Sequence, residues 1–195
     1  VCTITTLGTN NFCIVCYFTN PFSTFVTIDL FFIINIIFYY RCYPEIEWMH
    51  CDTTIDTEAN WIESYHALEK AYAEGYINSL GVSNFNLELL QYANEVVNVR
   101  PHAVQNFAQI GNMDGEVRQW CFNNNAIYQP YSSQRDMSTI PTEHQQAIET
   151  ISSARGISKQ ALSLKFFLQT GAAVIPKSTQ ETHLTENLSL FEWEL

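Results

Sequence analysis

The feature that most constrains the fold is a regular alternation of short apolar runs with amphipathic stretches, which begins near residue 59. The apolar run 78–82, for example, precedes a stretch in which Leu87, Leu90 and Ala93 recur at helical spacing. Similar pairs follow along the rest of the chain. Because strands joined through helices form right-handed βαβ units, the pattern predicts an α/β fold with a parallel sheet.

The number of predicted elements limits how much of such a sheet the chain contains. Strands are predicted at 28–34, 78–82, 103–105, 126–128 and 172–175. Helices are predicted at 59–74, 87–97, 116–122, 142–156, 158–170 and 179–188. A closed (β/α)8 TIM barrel usually needs about 250 residues, so the 195 residues here predict a partial barrel, roughly strands 4 to 8 with their helices.

Residues that favour helix ends punctuate these stretches. Ser and Thr accept hydrogen bonds from the first free amides of a helix, and glycine adopts the left-handed backbone that often follows a helix. The pattern predicts amino caps at Thr142 (with Gln145 in a capping box), Ser158 and Thr179, and carboxyl stops at Gly75, Gly156 and Gly171.

The amino-terminal segment has a different composition. Asp29 is the one charged side chain in residues 1–40. The apolar run 25–40 is shorter than the about 20 residues that a membrane span needs, and Asp29 and Asn35 interrupt it. A buried strand is therefore the preferred interpretation, with a membrane anchor as the alternative.

Cysteine spacing and charge bear on possible partners. Cys13 and Cys16 have a zinc-ligand spacing, and His50 and Cys51 could complete a site. No second CxxC pair follows at finger spacing, so incidental free thiols are preferred and we expect no metal. The net charge of −11 argues against nucleic acid as a partner, because phosphate binding needs a basic face.

Hydrogen-bonding side chains follow four of the predicted strands, where ligands bind in parallel α/β folds. They are Ser83 and Asn84, Gln105 and Asn106, Tyr128 and Gln129, and Lys177 with Ser178. Lys177 precedes a helix that Ser178 and Thr179 open, and a cation beside helix amides and hydroxyls suits a phosphate. Neither GxGxxG nor GxxxxGK[ST] occurs in the sequence, so a barrel-type phosphate site is favoured over a Rossmann loop or a P-loop.

Two motifs, GVSNF at 81–85 and IPKS at 175–178, together give the chain a specific resemblance to the aldo/keto reductase family. ALEK at 67–70, YQP at 128–130 and the pair 186–187 extend the match over about residues 59–195, and IDL at 28–30 resembles the start of the family's fourth strand. The resemblance implies a TIM barrel that uses NADP(H) to reduce a small-molecule carbonyl substrate in the cytoplasm.

The resemblance also implies roles for individual residues. Ser83, Asn84 and Gln105 match residues that hold the nicotinamide carboxamide, and Tyr128 matches the aromatic residue that stacks on the nicotinamide. The remaining matches are Gln129, Tyr131 and Ser133 at the pyrophosphate, Lys177, Ser178 and Thr179 at the adenosine 2′-phosphate, and Glu186 and Asn187 at the adenine. His183 stands where the family commonly has Arg, whose bidentate fork an imidazole lacks, so we do not expect tight selectivity for NADPH.

The catalytic residues that the family would supply have no match in this chain. The family uses an Asp, a Tyr, a Lys and a His, and nothing in residues 1–27 resembles the motifs of the first three. Ile34, with Asn35 beside it, stands at the position of the His, and neither can do acid–base work. We therefore assign no catalytic residue and expect this chain to be inactive as a fragment. The alternative is a non-catalytic binding protein of the same family.

The sequence divides at about residue 41. Residues 42–195 are interpreted as the carboxyl-terminal part of an aldo/keto reductase-like barrel, and residues 1–41 as an atypical apolar segment. This segment is rich in Phe, Ile, Asn, Tyr and Thr, which AT-rich non-coding DNA yields when translated, so we hypothesise that much of it is read-through. The chain opens with Val1 rather than Met, and we expect it to be part of a longer product.

Overall fold

The computed structural model describes residues 2–6, 12–18, 34–40, 61–134 and 137–195, the first three ranges as strands. The chain forms two compact units, residues 1–104 and residues 105–195. Each unit combines strands with helices, as the α/β prediction requires.

The sheet of the first unit contains β1 (Cys2–Thr6), β2 (Phe12–Phe18), β3 (Ile34–Tyr40) and β4 (Ser79–Ser83), in that order. β1 with β2 and β2 with β3 pair antiparallel. β3 and β4 pair in parallel, with Ile36 opposite Ser79 and Tyr40 opposite Ser83. A parallel sheet was predicted, with its first strand at 28–34 rather than 34–40. The antiparallel pairs were not predicted, although Cys2–Thr6 alternates apolar and polar residues as a half-buried strand does, and Phe12–Phe18 is a continuous apolar run.

The predicted strand at 28–34 lies outside the described residues except for Ile34. That residue begins β3. The sequence predicts Ile34 at the carboxyl end of a strand and Asn35 just after it, but in the structure these residues open a strand, and Tyr40 is at its carboxyl end.

Two helices complete the first unit. The amphipathic spacing at 59–74 and 87–97 is confirmed by α1 (Trp61–Ala73) and α2 (Leu87–Val96). Tyr65 of α1, Leu80 of β4 and Leu90 of α2 have no exposed surface. Gly75 has φ of 78° and ends α1 as predicted.

A buried carboxylate, Glu69 of α1, fixes the connection that follows α2. Its Oε1 accepts the backbone N–H groups of Asn98 and Val99 at 2.6 and 2.7 Å. Its Oε2 accepts Asn98 Nδ2 at 2.9 Å and lies 2.7 Å from His66 Nδ1. Burial alone would raise the pKa of Glu69, but these hydrogen bonds favour the ionised form and lower it below its ordinary value.

The second unit contains the rest of the chain. β5 (Ala103–Phe107) crosses the boundary between the units. It is followed by α3 (Gly115–Asn123), β6 (Ile127–Tyr131), a short 3-10 turn (Met137–Thr139), α4 (Thr142–Arg155), α5 (Lys159–Gln169) and α6 (Glu181–Ser189). Ala161 and Leu164 of α5 pack against Leu190, and this cluster joins α5 to the end of α6.

Several predicted helix ends are confirmed and two are wrong. Ser158 caps α5 by accepting the N–H of Ala161 at 3.0 Å, and Gly156 and Gly171 have positive φ. Thr142 is the first residue of α4 and makes no cap. Its predicted partner Gln145 instead donates to the carbonyl of Ile140 at 2.6 Å, so no capping box forms.

Thr179 is also wrong as a cap. The amino cap of α6 is Gln180, whose backbone N–H donates to Ser178 Oγ at 3.0 Å. The hydroxyl that satisfies this amide therefore comes from the preceding serine.

The final predicted strand at 172–175 is not a strand in the structure. The N–H of Ala173 donates to the carbonyl of Tyr128 in β6 at 2.9 Å, but the segment does not continue this bond into a strand ladder. Pro176 has no N–H to donate just beyond it, so the run is too short to extend the pairing.

The remaining predictions concern membranes and metals. Within the described ranges, none of the helices combines the length and the apolar character that crossing a membrane requires. The cysteine pair and His50–Cys51 belong to segments whose side chains lie outside the described residues. The side chains that the structure does describe form no cluster suited to a metal ion.

Candidate functional site

The GVSNF motif forms a strand end and a turn in the first unit. Ser83 is the last residue of β4 and is fully buried. Asn84 follows with φ of 60° and is 8% exposed. Asn is one of the few non-glycine residues that adopt the left-handed region readily, which explains an Asn at this turn.

Aromatic packing holds this turn in place. Phe85 is buried and its ring lies 5.1 Å from that of Trp61 in an edge-to-face arrangement. Asn86 then caps α2 by accepting the N–H of Leu89 at 2.9 Å. The motif thus encodes a strand end, a left-handed turn, a core anchor and a helix start.

In the second unit, two buried glutamines meet between β5 and β6. The side chain of Gln105 donates from Nε2 to Oε1 of Gln129. Gln105 is 6% exposed and Gln129 is 1% exposed. Both side chains therefore lie on the same face of the two strands.

Tyr128 lies on the opposite face of β6, because successive side chains of a strand alternate. Its hydroxyl donates to Asp114 Oδ2 at 3.0 Å, and Asn106 Nδ2 donates to the same oxygen at 2.9 Å. The Arg118 guanidinium lies 5.9 Å from the centre of the Tyr128 ring. Burial, together with the Asp114 carboxylate, raises the pKa of Tyr128.

The segment after β6 contains the other predicted pyrophosphate residues. Tyr131, at the end of β6, packs its ring 6.0 Å from that of Phe107. Ser132 has φ of 56°, and Ser133 is buried. The hydroxyl of Ser163 in α5 donates to the carbonyl of Ser133 at 2.8 Å, and this buried hydrogen bond attaches the loop to α5.

The predicted 2′-phosphate residues lie at the amino end of α6. Lys177, Thr179 and His183 are exposed and Ser178 is half-buried. Ser178 Oγ is 3.4 Å from His183 Nδ1. A cation and two hydroxyls therefore precede a helix whose first turn contains an imidazole, and the partial positive charge of the helix amino end also favours anions.

The predicted adenine residues are one turn further along α6. Glu186 and Asn187 are half-buried. The Glu186 carboxylate accepts two hydrogen bonds from Ser158, from the backbone N–H at 2.9 Å and from Oγ at 2.7 Å. His183, Glu186 and Asn187 share one helix face, since they are spaced i, i+3 and i+4.

The structure groups some of the predicted residues and separates others. Gln105 lies with Gln129, and Ser178 with His183, whereas Tyr128 lies on the opposite strand face from Gln129. Asp114, the acceptor for Tyr128, is not marked as a site residue by any sequence motif. An Asp before Gly115 resembles an ordinary helix cap, and the structure shows no such cap bond from it.

The predicted site residues differ in how well they fit the NADP(H) that the resemblance implies. Lys177, Ser178 and the amino end of α6 fit the phosphate of an adenosine nucleotide, because they supply a cation, a hydroxyl and backbone amides. Tyr128 fits a stacking role least well, since it is 4% exposed and its hydroxyl is bonded to Asp114.

Sequence comparison finds relatives among oxidoreductases. The chain is 29% identical over 133 residues to NADPH-dependent codeinone reductase 1-1 of Papaver somniferum, which covers 66% of this chain and 41% of that protein. It is 27% identical over 133 residues to glyoxal reductase of Bacillus subtilis, covering 68% and 47%. The chain thus spans less than half the length of these relatives.

Comparison with solved structures finds the same fold. An aldo/keto reductase from Brucella melitensis matches with a TM-score of 0.63 and 24% identity, covering 69% of this chain and 51% of that one. The silkworm aldo-keto reductase AKR2E5, solved in complex with NADPH, matches with a TM-score of 0.68 and 21% identity, covering 83% and 50%.

The family model for aldo/keto reductases matches residues 26–195, which is most of the sequence and includes both the GVSNF and IPKS motifs. The match begins within the atypical amino-terminal segment. The chain therefore belongs to the aldo/keto reductase family.

Proposed function

We propose that this chain is part of an NADP(H)-dependent oxidoreductase that reduces a small-molecule carbonyl substrate. The observation that carries the proposal is at the amino end of α6, where the exposed Lys177 directly precedes Ser178, whose Oγ contacts His183 Nδ1. A phosphate that distinguishes NADP(H) from NAD(H) needs a cation and several hydrogen-bond donors. A cytoplasmic location is part of the same proposal and rests on the family resemblance.

The bound cofactor would supply the hydride, and this chain's residues would bind and orient it. Ser83, Asn84 and Gln105 would hold the carboxamide through their amide and hydroxyl groups. The other proposed contacts are Tyr128 at the nicotinamide ring, Gln129, Tyr131 and Ser133 at the pyrophosphate, Lys177, Ser178, Thr179 and His183 at the 2′-phosphate, and Glu186 and Asn187 at the adenine.

His183 would limit selectivity for the 2′-phosphate. An imidazole offers one hydrogen bond from each ring nitrogen, and Nδ1 of His183 already lies 3.4 Å from Ser178 Oγ. An arginine would offer a fork of parallel donors. We therefore propose that Lys177 provides most of the discrimination between NADPH and NADH.

The proposal separates binding from turnover. The sequence assigns no Asp, Tyr, Lys or His to the family's catalytic positions, and Ile34 begins β3 instead of presenting an imidazole after a strand. We propose that the chain as it stands binds cofactor without reducing carbonyls. A non-catalytic binding protein is the second candidate, favoured by that same Ile34.

A charge-removal experiment tests the cofactor proposal. The full chain is titrated with NADPH and NADH by fluorescence, beside Lys177→Ala and, as control, Lys70→Ala of α1, which is also exposed. We expect Lys177→Ala to weaken NADPH binding about tenfold, the worth of one charge-assisted hydrogen bond, and to leave NADH binding unchanged. Equal losses for both dinucleotides, or no binding by the unaltered chain, would contradict the proposal.

The two candidates differ in what the natural product does. Sequencing the 5′ part of the mature transcript through codon 60 shows whether splicing removes codons near 31–41 and adds upstream codons for the missing catalytic residues. If it does, and the complete product oxidises NADPH with a panel of aldehydes, the reductase is supported. If the transcript encodes the chain as given, the read-through hypothesis for residues 1–41 and the reductase candidate both fail, and the non-catalytic binding protein is favoured over a reductase.

A further inference from the structure

The contact between Ser158 and Glu186 joins the amino end of α5 to the middle of α6. Ser158 Oγ accepts the N–H of Ala161 at 3.0 Å and donates to Glu186 Oε2 at 2.7 Å. The backbone N–H of Ser158 donates to Glu186 Oε1 at 2.9 Å. One residue therefore caps its own helix and holds both oxygens of a carboxylate on another.

This arrangement is a capping box completed by a different helix. In an ordinary capping box, the third residue of the helix is a Glu or Gln that accepts the N–H of the cap residue. The third residue of α5 is Ala161, which has no acceptor in its side chain. Glu186 provides that acceptor, and its negative charge lies at the amino end of α5, where the helix dipole favours it.

The same contact restricts how the Glu186 carboxylate can rotate. Two donors from one residue fix the plane of the group, as in a bidentate pair. Each carboxylate oxygen can accept about two hydrogen bonds, so one position on each oxygen stays available after Ser158 is counted. Glu186 is half-buried, so the group has access to a ligand.

A second contact with α5 fixes the backbone of α6, the helix that contains Glu186. Lys165 of α5 donates from Nζ to the carbonyl of Leu190, just past the end of α6, at 2.8 Å. Leu190 is buried against Ala161 and Leu164. α6 is thus attached to α5 at its carboxyl end through Leu190 and near its middle through Glu186.

We infer that Ser158 is a positioning residue for nucleotide recognition: it holds the Glu186 carboxylate so that the remaining oxygen positions accept the 6-amino group of adenine. The inference rests on the proposed function, which places the adenine at Glu186. The amino group is a donor with two hydrogens, and a fixed carboxylate is a stronger acceptor for it than one that must be ordered on binding.

The test uses three substitutions and two ligands. Ser158→Ala removes the hydroxyl and the cap, Ser158→Gly removes the hydroxyl but keeps a tolerated cap residue, and Ser158→Thr keeps both. Each full chain is titrated with NADPH and with its hypoxanthine analogue, which has an oxygen in place of the 6-amino group. Urea unfolding of each variant measures separately how much the cap contributes to the free energy of unfolding.

For the unaltered chain we expect NADPH to bind about tenfold more tightly than the hypoxanthine analogue. Ser158→Ala and Ser158→Gly should both weaken NADPH binding about fivefold and leave the analogue unchanged, although their stabilities differ. Ser158→Thr should restore the NADPH affinity. Glu186→Ala should remove the preference between the two ligands.

Three results would overturn the inference. If the loss of NADPH affinity follows the loss of stability across the variants, so that Ser158→Gly binds NADPH almost as tightly as the unaltered chain, Ser158 is only a helix cap. If both ligands weaken equally, Ser158 does not act through the 6-amino group. If the unaltered chain binds neither ligand, the proposed function fails as well, and the inference with it.

Discussion

Each unit of this chain contains one buried charged side chain among the described residues, and the two are held differently. Glu69 in the first unit is 7% exposed and accepts hydrogen bonds from two backbone amides and from Asn98 Nδ2, with His66 also at bonding distance. Lys165 in the second unit is 4% exposed and has one hydrogen bond, to the carbonyl of Leu190.

The other partners of Lys165 are more distant. The Glu194 carboxylate is 3.5 Å from Nζ and is itself exposed, and the Trp193 ring lies 5.3 Å away. A buried charge stabilises a fold only when its hydrogen-bonding capacity is satisfied, since desolvation costs several kcal/mol per ion. The comparison therefore indicates that Glu69 is important for stability, while Lys165 chiefly fixes where α6 ends.

Removing the Glu69 side chain should have the largest effect. We expect Glu69→Ala to lower the free energy of unfolding by about 3 kcal/mol, because the amides of Asn98 and Val99 and the Asn98 side chain lose their acceptor. Urea denaturation followed by circular dichroism measures the loss. Glu63→Ala, on the exposed face of α1, is the control and should cost a few tenths of a kcal/mol.

Protonating Glu69 should have a smaller effect, since the group keeps its shape. Its pKa is lowered on folding, so the unfolded chain binds the proton more readily. The stabilisation is complete above the ordinary value of 4.5 and is lost as pH falls through the lower folded-state pKa. Urea midpoints between about pH 7 and pH 3 should fall less steeply in Glu69→Gln than in the unaltered chain. Parallel curves would contradict this assignment.

Replacing Lys165 should cost less than removing Glu69. Lys165→Met fills the same space and removes one buried charge, so the lost bond to Leu190 is partly offset by the saved desolvation. We expect a loss of about 1.5 kcal/mol. The control is Lys159→Met, which removes an exposed ion pair with Glu149 and should cost under about 1 kcal/mol. A loss for Lys165→Met as large as that for Glu69→Ala would contradict the comparison.

The smallest effect is expected at two left-handed turns, one in each unit. Ser132 has φ of 56° and Asn84 has φ of 60°. Serine tolerates this region less well than asparagine, so Ser132→Gly should raise the free energy of unfolding by about 0.5 kcal/mol. Asn84→Gly should bring no gain. Equal gains at both positions would show that the two turns are strained alike.

The sequence predicted much of the second unit's local structure. The helices and the strands β5 and β6 were found within a few residues, because apolar spacing depends on which side chains a strand or helix must bury. The caps predicted at Thr142 and Thr179 were wrong. At α6, the hydroxyl of Ser178 accepts the backbone N–H of Gln180. At α4, the side chain of Gln145 donates to the carbonyl of Ile140 and does not complete a capping box with Thr142. Such competition between nearby donors depends on geometry that the pattern does not contain.

The sequence by itself determined the family of this protein, because GVSNF and IPKS are short motifs readable in the sequence: the first places an Asn at φ of 60° just after a strand, and the second is a proline–lysine segment before a helix. Only the tertiary structure decided that Tyr128 bonds to Asp114 and that Ser158 holds Glu186. These pairs are 14 and 28 residues apart, and their hydrogen bonds form only after packing brings α3 onto β6 and α6 onto α5.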